Sequence, residues 1–387
     1  MNQPSLPCLM LTEIFLPTKG GTAISFDDDF RRLGGKDVHI VTANVPGAAE
    51  FDARHPNSIH RLNLQRHPWL KPESALMYAK FFSRALGIAL TEKIEAVFAG
   101  RALPEGITAW AVGRLTGRKV LIFAHGEELT GWGRGGKFKA MRFALRHADW
   151  VLSNSDFTRD TLIDLIDVKP ERIAVIYPTV DAERFHPGLP HEDLLKGIGI
   201  TKKQKLILSV GRLQRRKGFD NIIRALPKLI QQGLDVHYAL IGIGEDHDYL
   251  LGLANGLKVA DRVHLLGHVS YEDLPRWYNA CDLFAMPNRD INGDTEGFGL
   301  VYLEAAASGK PSVAGNTGGT GSAVEDGKTG LRVNGEQPDE IATALARLLS
   351  NPDLAETMGN KGRERVLANF THARRVEQLR GLAWGTT

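Results

Sequence analysis

Short apolar runs alternate with segments of helical periodicity along the whole chain. In the first half, the runs that predict strands are residues 9–12, 38–43, 96–99, 120–124, 150–153 and 173–177. The second half repeats the scheme at residues 206–210, 236–241, 263–266, 283–286, 312–314 and 331–333. Segments between them, such as residues 23–33, 134–147 and 157–167, have the apolar spacing of helices. This alternation predicts parallel sheets covered by helices on both faces.

The length of the chain indicates two domains, because one hydrophobic core seldom exceeds about 250–300 residues and this chain has 387. The pattern breaks after Asp181, where the sequence HPGLPH at 186–191 is rich in proline and residues 196–205 are polar. We expect an α/β protein with two doubly wound, Rossmann-like domains facing across a cleft, at residues 1–185 and 200–368. Helical residues 369–387 are expected to cross back to the N-terminal domain.

Composition and charge exclude several classes of protein. The 48 Lys and Arg against 45 Asp and Glu give a net charge of +3, too small to indicate nucleic-acid binding. Cys8 and Cys281 are too few for a disulfide framework or a zinc cluster and fit a reducing compartment. The sequence has no signal peptide and no apolar run of the ~18 residues that a membrane span needs. We expect a cytoplasmic protein, at most peripheral on the inner face of a membrane.

Ligands of open parallel sheets bind beyond the carboxyl ends of the strands, so residues that directly follow strands are the candidates. Gly20 and Gly21 follow the first strand and precede a helix, where backbone N–H groups could approach an anionic oxygen. A plain strand-to-helix turn is the alternative. His125 ends another strand, and Glu127 or Glu128 beside it could hold a hydroxyl group. The alternative there is a histidine that caps the strand end.

Positive charge is concentrated directly after the strand at residues 206–210. Four of the six positions from Arg212 to Lys217 are cationic, and a helix is predicted to begin at Phe219. Arg212 can bind a phosphate bidentately, Lys217 can act as a point charge, and the helix N-terminus favours negative charge. We predict a site for a dianionic phosphate, the alternative being a solvated basic loop.

Two carboxylates follow the strand at residues 283–286. Glu296 lies in the loop, and Glu304 lies on a helix that stops at Gly309 and is closed by Pro311. Carboxylates so placed could grip hydroxyls at separate points of one polyhydroxylated ligand. Alternatively, Glu304 is a partly buried helix charge paired with a neighbour.

Two glycine-rich segments also follow strands. The sequence GNTGGTG at 315–321 could present N–H groups to a phosphate, or be a loop without a ligand. The sequence GIGEDH at 242–247 begins like a dinucleotide fingerprint, but His247 stands where a third small residue is needed. A dehydrogenase is therefore disfavoured.

In their order and spacing, these motifs resemble the family 4 retaining glycosyltransferases of the GT-B fold, most strongly over residues 211–333. The signature comprises YxAxDxFxxP at 278–287, EGFGLVYLE at 296–304, AxGxPxV at 307–313 and a glycine pair at 318–319. Within the family, residues 290–296 and the His-Gly-Glu segment at 125–127 resemble phosphatidylinositol mannosyltransferases most.

The resemblance implies a nucleotide-diphosphate sugar bound by the C-terminal domain and an acceptor bound mainly by the N-terminal one. Arg212 and Lys217 would then contact the diphosphate. Glu296 would hold hydroxyls of the donor sugar, and Glu304 would hold the ribose. The donor would also meet the residues that follow Glu296, which are Gly297, Phe298, Gly299 and Leu300.

The resemblance implies further roles on both domains. Gly20 and Gly21 would approach the phosphates or the acceptor. His125 would lie by the anomeric centre and the 6-hydroxyl of the sugar, and the backbone of His268 and Val269 would read the base. The implied catalytic residues are His125, Arg212, Lys217 and Glu296. The family needs no metal or other cofactor, and its favoured mechanism has the leaving phosphate help to deprotonate the acceptor on the same face.

Basic side chains accompany aromatic ones in two stretches of the N-terminal half. Residues 54–84 contain six Lys or Arg and three His against the single acid Glu73, and residues 134–147 contain five Lys or Arg and no acid. Such stretches suit an anionic membrane surface or a phosphate-bearing acceptor such as a lipid-linked sugar. A solvated helix face with core aromatics is the alternative.

We therefore expect a hexosyltransferase that moves mannose from GDP-mannose to a lipid-linked or phosphate-bearing acceptor in glycolipid or polysaccharide synthesis. UDP-glucose or UDP-N-acetylglucosamine is the alternative donor. Two other classes remain open: an epimerase of the same architecture, which needs no acceptor, and a non-catalytic protein that binds nucleotide sugars. Nucleic acid is not an expected partner.

Overall fold

The computed structural model describes residues 5–18, 20–66, 69, 73–130, 133–201 and 203–385. These residues form two compact units. The first ends at Pro178 and is completed by the segment that starts at His372, and the second spans Thr179–Thr371. Residues 179–185, which the sequence analysis assigns to the first domain, therefore belong to the second unit, as do residues 369–371.

The first unit is built on a parallel sheet. Its described strands are β1 (Cys8–Leu11), β2 (Val38–Ala43), β3 (Ser58–Leu62), β4 (Ala96–Ala99), β5 (Lys119–Ala124), β6 (Trp150–Ser153) and β7 (Ile173–Val175). They lie in the order β3-β2-β1-β4-β5-β6-β7. Its helices up to Pro178 are α1 (Gly21–Leu33), α2 (Ala48–Arg54), α3 (Ala75–Thr91), α4 (Ile107–Thr116), α5 (Glu127–Thr130), α6 (Gly136–His147) and α7 (Asp156–Thr161). A π-helical turn, Ala102–Gly106, follows β4.

The second unit repeats this plan. Its described strands are β8 (Lys205–Val210), β9 (Val236–Ile241), β10 (Val263–Gly267), β11 (Leu283–Met286), β12 (Ser312–Gly315) and β13 (Gly330–Val333). They lie in the order β10-β9-β8-β11-β12-β13. Its helices are α8 (Glu192–Gly197), α9 (Phe219–Gln231), α10 (His247–Gly256), α11 (Leu274–Ala280), α12 (Leu300–Ala307), α13 (Thr320–Ala323), α14 (Pro338–Leu349) and α15 (Pro352–Asn369).

The two sheets confirm the predicted fold class of two doubly wound, Rossmann-like units. The sequence analysis missed β3, which forms one edge of its sheet. Every residue of β3 is partly exposed, and Ser58, His60 and Arg61 interrupt the apolar run by which the other strands are recognised. This strand lies inside the stretch 54–84 that the sequence analysis interprets as a basic surface.

Both faces of the first sheet are buried, because side chains alternate along each strand. In β1, Leu9 and Leu11 pack into a cluster on one face, and Cys8 and Met10 pack into a cluster on the other. Strands covered on both sides read as nearly continuous apolar runs, which explains why most of them could be predicted.

A last helix, α16 (His372–Trp384), completes the first unit. Val376, Leu379 and Leu382 are buried in the same cluster as Cys8 and Met10. The guanidinium of Arg375, also on α16, is buried against the Asp29 carboxylate of α1 at 2.7 and 2.8 Å. Among the described helices, none combines the length and apolar character needed to cross a membrane.

The strand orders locate the place where each sheet can bind a ligand. The direction in which successive strands are added reverses between β1 and β4 in the first sheet and between β8 and β11 in the second, although the strands of each pair are parallel. Connections leave these pairs toward opposite faces, so a crevice opens beyond their carboxyl ends. Residues after β1, β4, β8 and β11 are thus the first to consider.

Candidate active site

The basic loop after β8 is fixed against the end of β11. The chain passes from Val210 through a 3-10 turn, Arg215–Lys217, into α9, with Gly218 at the helix start in the left-handed region at φ +76°. A Cβ on Gly218 would overlap the carbonyl of Pro287, so no larger residue fits there. The close backbone approach directs the cations of the turn toward the loop that follows β11.

Glu296 is the carboxylate on which these cations converge. Lys217 Nζ donates to Glu296 Oε2, and Arg216 Nη1 lies 3.2 Å from the same oxygen. The side chain of Glu296 is 11% exposed, and those of Lys217 and Arg216 are 13% exposed. Burial raises the pKa of Glu296, but the two cations outweigh it and hold that pKa below its ordinary value. The result is a largely buried, ionised carboxylate in the loop after β11 that faces the positively charged loop after β8.

Arg212 occupies a different environment from Lys217. It stands at the start of the loop and is exposed to solvent, whereas Lys217 and Arg216 are largely covered. Sequence reasoning identified Arg212 and Lys217 as the phosphate ligands but did not single out Arg216. The only indication in the sequence was that Arg216 is one of four cations in this loop. The sequence does not show which of the four contact Glu296.

The segment from Glu296 to α12 is packed tightly onto the end of β11. Gly299 begins α12 at φ +88°, and a Cβ there would lie 2.6 Å from the Tyr302 ring. The Tyr302 hydroxyl donates to the Met286 carbonyl at 2.5 Å and lies 3.0 Å from Asn288 Oδ1. Phe298 is buried, and Gly297 and Leu300 continue the segment. The backbone next to Glu296 is thereby held in one conformation.

The glycine-rich loop after β12 supports Glu296 from the other side. The Gly319 N–H donates to the Glu296 carbonyl at 2.8 Å. Gly318 has φ +65°, and a Cβ there would lie 2.6 Å from Thr295 Oγ1. Residues 315–321 therefore pack against the Glu296 backbone.

Glu304 lies farther along α12 in a less polar environment. Its Oε2 accepts a hydrogen bond of 2.6 Å from the hydroxyl of Tyr278, which is fully buried. Burial raises the pKa of Glu304, and the Tyr278 hydrogen bond offsets part of that rise. The partner of Glu304 is thus the tyrosine that opens the YxAxDxFxxP motif.

The segment 242–247 has a packing role. Leu213 N–H donates to the Ile243 carbonyl at 3.1 Å, and a Cβ on Gly244 would lie 2.5 Å from the Leu213 carbonyl. These glycines therefore let the segment approach the Arg212 loop closely. Beyond it, His268 is exposed and Val269 is half-buried after β10, which β9 separates from β8.

In the first unit, His125 follows β5 and is half-buried. Its Nε2 lies 2.9 Å from the Gly100 carbonyl, an acceptor, so Nε2 carries the proton. Gly20 is exposed at φ +146° directly before α1, and Gly21 is the first residue of that helix. The side chains of Glu127 and Glu128, which the sequence analysis also considered, lie outside the described part of the structure.

The sequence matches two family descriptions in succession. Residues 26–184 match "Glycosyltransferase Family 4", and residues 191–365 match "Glycosyl transferases group 1". A GDP-mannose-dependent alpha-(1-6)-phosphatidylinositol monomannoside mannosyltransferase of Mycolicibacterium smegmatis is 33% identical over 97% of this chain and 98% of its own length. The chain belongs to glycosyltransferase family 4.

Two further relatives show similar sequence identity over different shares of the chain. A GDP-mannose-dependent monoacylated alpha-(1-6)-phosphatidylinositol monomannoside mannosyltransferase of Corynebacterium glutamicum is 30% identical over 94% of each chain. A D-inositol 3-phosphate glycosyltransferase of Corynebacterium diphtheriae is 34% identical over 60% of this chain and 55% of its own length.

Solved structures confirm the GT-B fold of this glycosyltransferase. The Anabaena protein HepE, crystallised with UDP, superposes with a TM-score of 0.81 at 20% identity over 98% of this chain and all 100% of that one. A glycosyltransferase of Rickettsia africae gives a TM-score of 0.81 at 18% identity, covering 98% of each chain.

The pKa values of the two carboxylates of this glycosyltransferase are shifted in opposite directions. Lys217 and Arg216 lower the pKa of Glu296, whereas burial raises the pKa of Glu304. Carboxylates with pKa values pushed apart can perform different tasks in one site. Within the described residues, no group of three or more His, Cys, Asp or Glu side chains is placed to hold a metal ion.

Proposed function

We propose that this glycosyltransferase moves mannose from GDP-mannose, with retention of anomeric configuration, to a hydroxyl of a phosphatidylinositol-type acceptor. The proposal rests on relatives whose names state GDP-mannose and phosphatidylinositol monomannoside and which align over nearly the whole chain. Its product would be a glycolipid.

The observation that carries the proposal is the convergence of Lys217 and Arg216 on Glu296 beyond β8 and β11. As the bond from sugar to diphosphate breaks, negative charge accumulates on the phosphate. Lys217 and the exposed Arg212 would stabilise that charge, and pre-placed cations cost no reorganisation during the reaction. The ionised Glu296 would accept hydrogen bonds from hydroxyls of the mannose.

The remaining residues complete the donor site in this proposal. Glu304 would bind the ribose, and the backbone at His268 and Val269 would contact the base. His125 would lie by the anomeric carbon, and its Nε2 proton is committed to the Gly100 carbonyl. The segment 297–300 would line the sugar, while Gly20 and Gly21 would approach the phosphates or the acceptor.

An anionic membrane surface would present a lipid acceptor to the first unit. The stretch 54–84 supplies less free charge than its composition suggests, because Arg61 pairs with Asp52 at 2.8 Å and Arg84 donates to His60 at 2.7 Å. Helix α6 is a further candidate: Lys137 and Lys139 are exposed and Phe143 is 38% exposed, while Arg142 and Arg146 pair with Asp167. Basic residues beside an exposed aromatic suit the interface of an anionic leaflet, which would place the enzyme on the cytoplasmic face.

A UDP-sugar is the second candidate donor, because HepE, which shares the fold, was crystallised with UDP and with UDP-glucose. An acceptor-independent epimerase and a non-catalytic binding protein are the remaining alternatives.

A turnover panel tests these proposals together. The purified enzyme is incubated with GDP-mannose, GDP-glucose, UDP-glucose and UDP-N-acetylglucosamine, each with and without phosphatidylinositol monomannoside in vesicles. We expect acceptor-dependent release of GDP from GDP-mannose, and an α-linked product in the anomeric region of its proton spectrum. Preferred use of a UDP-sugar, donor conversion without acceptor, a β-linked product, or binding without any turnover would each overturn the corresponding part.

A further inference from the structure

A network of charged side chains lies beyond the carboxyl ends of β1 and β4, where the strand order of the first sheet reverses. These strands are direct neighbours, with Leu11 opposite Ala99. Glu13 follows β1, and Arg101 and Glu105 follow β4. None of the three belongs to the site described above, and all lie in the first unit.

Glu105 holds the two loops together from a fully buried position. Its Oε1 accepts the backbone N–H of Glu13 at 2.8 Å and lies 3.3 Å from Arg101 Nε. Its side chain is 0% exposed, and the other oxygen, Oε2, is buried without a hydrogen bond from any described residue. Leaving a buried polar atom unpaired is unfavourable, and the contacts that Glu105 does make connect the Glu13 backbone to Arg101.

Arg101 is the group that Glu105 positions. One side of its guanidinium contacts Glu105, and Nη2 lies 3.6 Å from Glu13 Oε2. Arg66 Nη2 approaches the same Glu13 oxygen at 3.8 Å. Both separations exceed the 2.7–2.9 Å of a close charge-assisted hydrogen bond, so Glu13 engages both arginines only loosely.

Two guanidinium groups therefore remain able to bind an anion from solution. The side chain of Arg101 is 29% exposed and that of Arg66 is 63% exposed. Each guanidinium carries five N–H donors in a planar fork that matches two oxygens of a phosphate. Glu105 contacts Arg101 through Nε, which leaves Nη2 of Arg101 and Nη2 of Arg66 facing Glu13.

The network adjoins the residue that the proposed mechanism places at the anomeric centre. His125 Nε2 donates to the carbonyl of Gly100, and Gly100 directly precedes Arg101. A phosphate held by Arg101 would thus belong to the acceptor side of the proposed reaction.

We infer that Arg101, together with Arg66, binds the phosphate of the acceptor headgroup and that Glu105 is the positioning residue that orients Arg101. This inference rests on the proposed transferase function and names the chemical group by which the acceptor is selected. A phosphate-free acceptor would gain nothing from the pair.

The experiment compares three acceptors with the full-length enzyme. They are phosphatidylinositol monomannoside in phosphatidylcholine vesicles, its soluble headgroup mannosyl-inositol phosphate, and phosphate-free mannosyl-inositol. For Arg101→Gln, we expect the KM of both phosphate-bearing acceptors to rise about tenfold to a hundredfold, with the KM of GDP-mannose and turnover of mannosyl-inositol unchanged. Arg114→Gln, an exposed arginine on α4, is the matched control and should behave like the wild type.

Glu105→Gln keeps an oxygen for the Glu13 N–H but cannot hold Arg101 as an ion pair. We expect a raised KM for the phosphate-bearing acceptors and an unchanged kcat. A general loss of folding would lower kcat instead. Equal losses on all three acceptors, no change in Arg101→Gln, or a loss confined to the vesicle acceptor would each overturn the inference. Calorimetric binding of mannosyl-inositol phosphate separates the inference from the proposed function. If the wild type transfers mannose to no acceptor but binds this headgroup, and Arg101→Gln does not, the inference is still supported. Unchanged binding in Arg101→Gln overturns the inference.

Discussion

Lys217 and Glu296 show how a residue found by its sequence context acquires its chemistry from its neighbours. The lysine was identified by its place in a basic loop, and the carboxylate by its place in the family motif. Their ion pair and their burial are tertiary facts, since 79 positions separate them in the sequence. Both residues can be tested individually.

Lys217→Ala should lower kcat/KM for GDP-mannose about 100- to 1000-fold, the usual effect of removing one preorganised donor at developing charge. Steady-state kinetics with varied donor measures the loss. Lys228→Ala is the control, because Lys228 is 42% exposed and pairs with Asp339 on the surface. A loss of less than about threefold in Lys217→Ala would contradict the assigned role.

Glu296→Gln should reduce kcat/KM by at least about 100-fold, because it leaves Lys217 without its counter-charge, removes one of the two carboxylates beside Arg216 and weakens the proposed contact with sugar hydroxyls. Asp290→Asn, exposed in the same loop, should change the rate little. The folded pKa of Glu296 lies below its ordinary value, so its stabilising contribution is complete at neutral pH. That contribution is lost only as the pH falls below the ordinary glutamate range, and thermal unfolding of wild type and Glu296→Gln should converge there.

At the scale of elements, each sheet joins its two outermost strands on one side through a histidine pair. His39 of β2 lies 3.1 Å from His60 of β3, and His237 of β9 lies 3.0 Å from His264 of β10. Burial, the Arg84 guanidinium and His39 together lower the pKa of His60 to about 4. Burial also lowers the pKa of the other three.

These histidines predict a loss of stability in mild acid. Because their folded pKa values lie below the ordinary value of about 6.5, the unfolded chain binds more protons as the pH falls from 6.5 toward 4. Stability should be complete above pH 6.5 and should decrease through that window. Melting temperatures measured from pH 7.5 to 4.5 should show a shallower slope for His60→Gln than for the wild type. His247→Gln, an exposed control, should keep the wild-type slope, and an unchanged slope in His60→Gln would contradict the prediction.

Helix α16 is attached to the first unit by a buried ion pair. Arg375 contacts both oxygens of Asp29 and donates to the carbonyls of Ile176 and Tyr177 at 2.9 and 2.7 Å. Arg375→Ala would leave Asp29 buried without its partner, which should destabilise the first unit by about 3–5 kcal/mol. Chemical denaturation measures the change, with the exposed neighbour Arg374→Ala as control. Equal stability of both variants would show that the ion pair is not what holds α16.

At the scale of the molecule, the first compact unit is built from two separate segments of the chain, with the whole second unit between them in the sequence. The second unit is continuous over Thr179–Thr371, whereas the first needs the segment from His372. We therefore expect residues 179–371 alone to fold and to bind GDP, as judged by circular dichroism and calorimetry. Residues 1–178 alone should be unstable, because Val376, Leu379 and Leu382 fill their core, and co-expression with residues 372–387 should restore folding. A stable 1–178 fragment would contradict this prediction.

The sequence anticipated the elements whose pattern is local. Strands β2, β4, β6, β9 and β11 have the predicted bounds, because strands buried on both faces are predominantly apolar. The sequence pattern did not predict edge strand β3. Its residues are partly exposed, so the strand can carry the polar side chains of Ser58, His60 and Arg61. The same exposure explains why the stretch 54–84 appeared as a free basic surface although Arg61 and Arg84 have partners within the unit.

Local sequence by itself determined the two parallel sheets, the loops that follow their strands and the residue types those loops offer, because periodicity and motif spacing are properties of neighbouring positions. Only the tertiary structure decided the partners: Arg216 and Lys217 on Glu296, Tyr278 on Glu304, and the Glu13 backbone on Glu105. These contacts join segments that are distant in the sequence, and which segments meet depends on strand order and register. The pKa shifts follow from those contacts and from burial, so Glu296 and Glu304, which look alike in the sequence, are shifted in opposite directions in the fold.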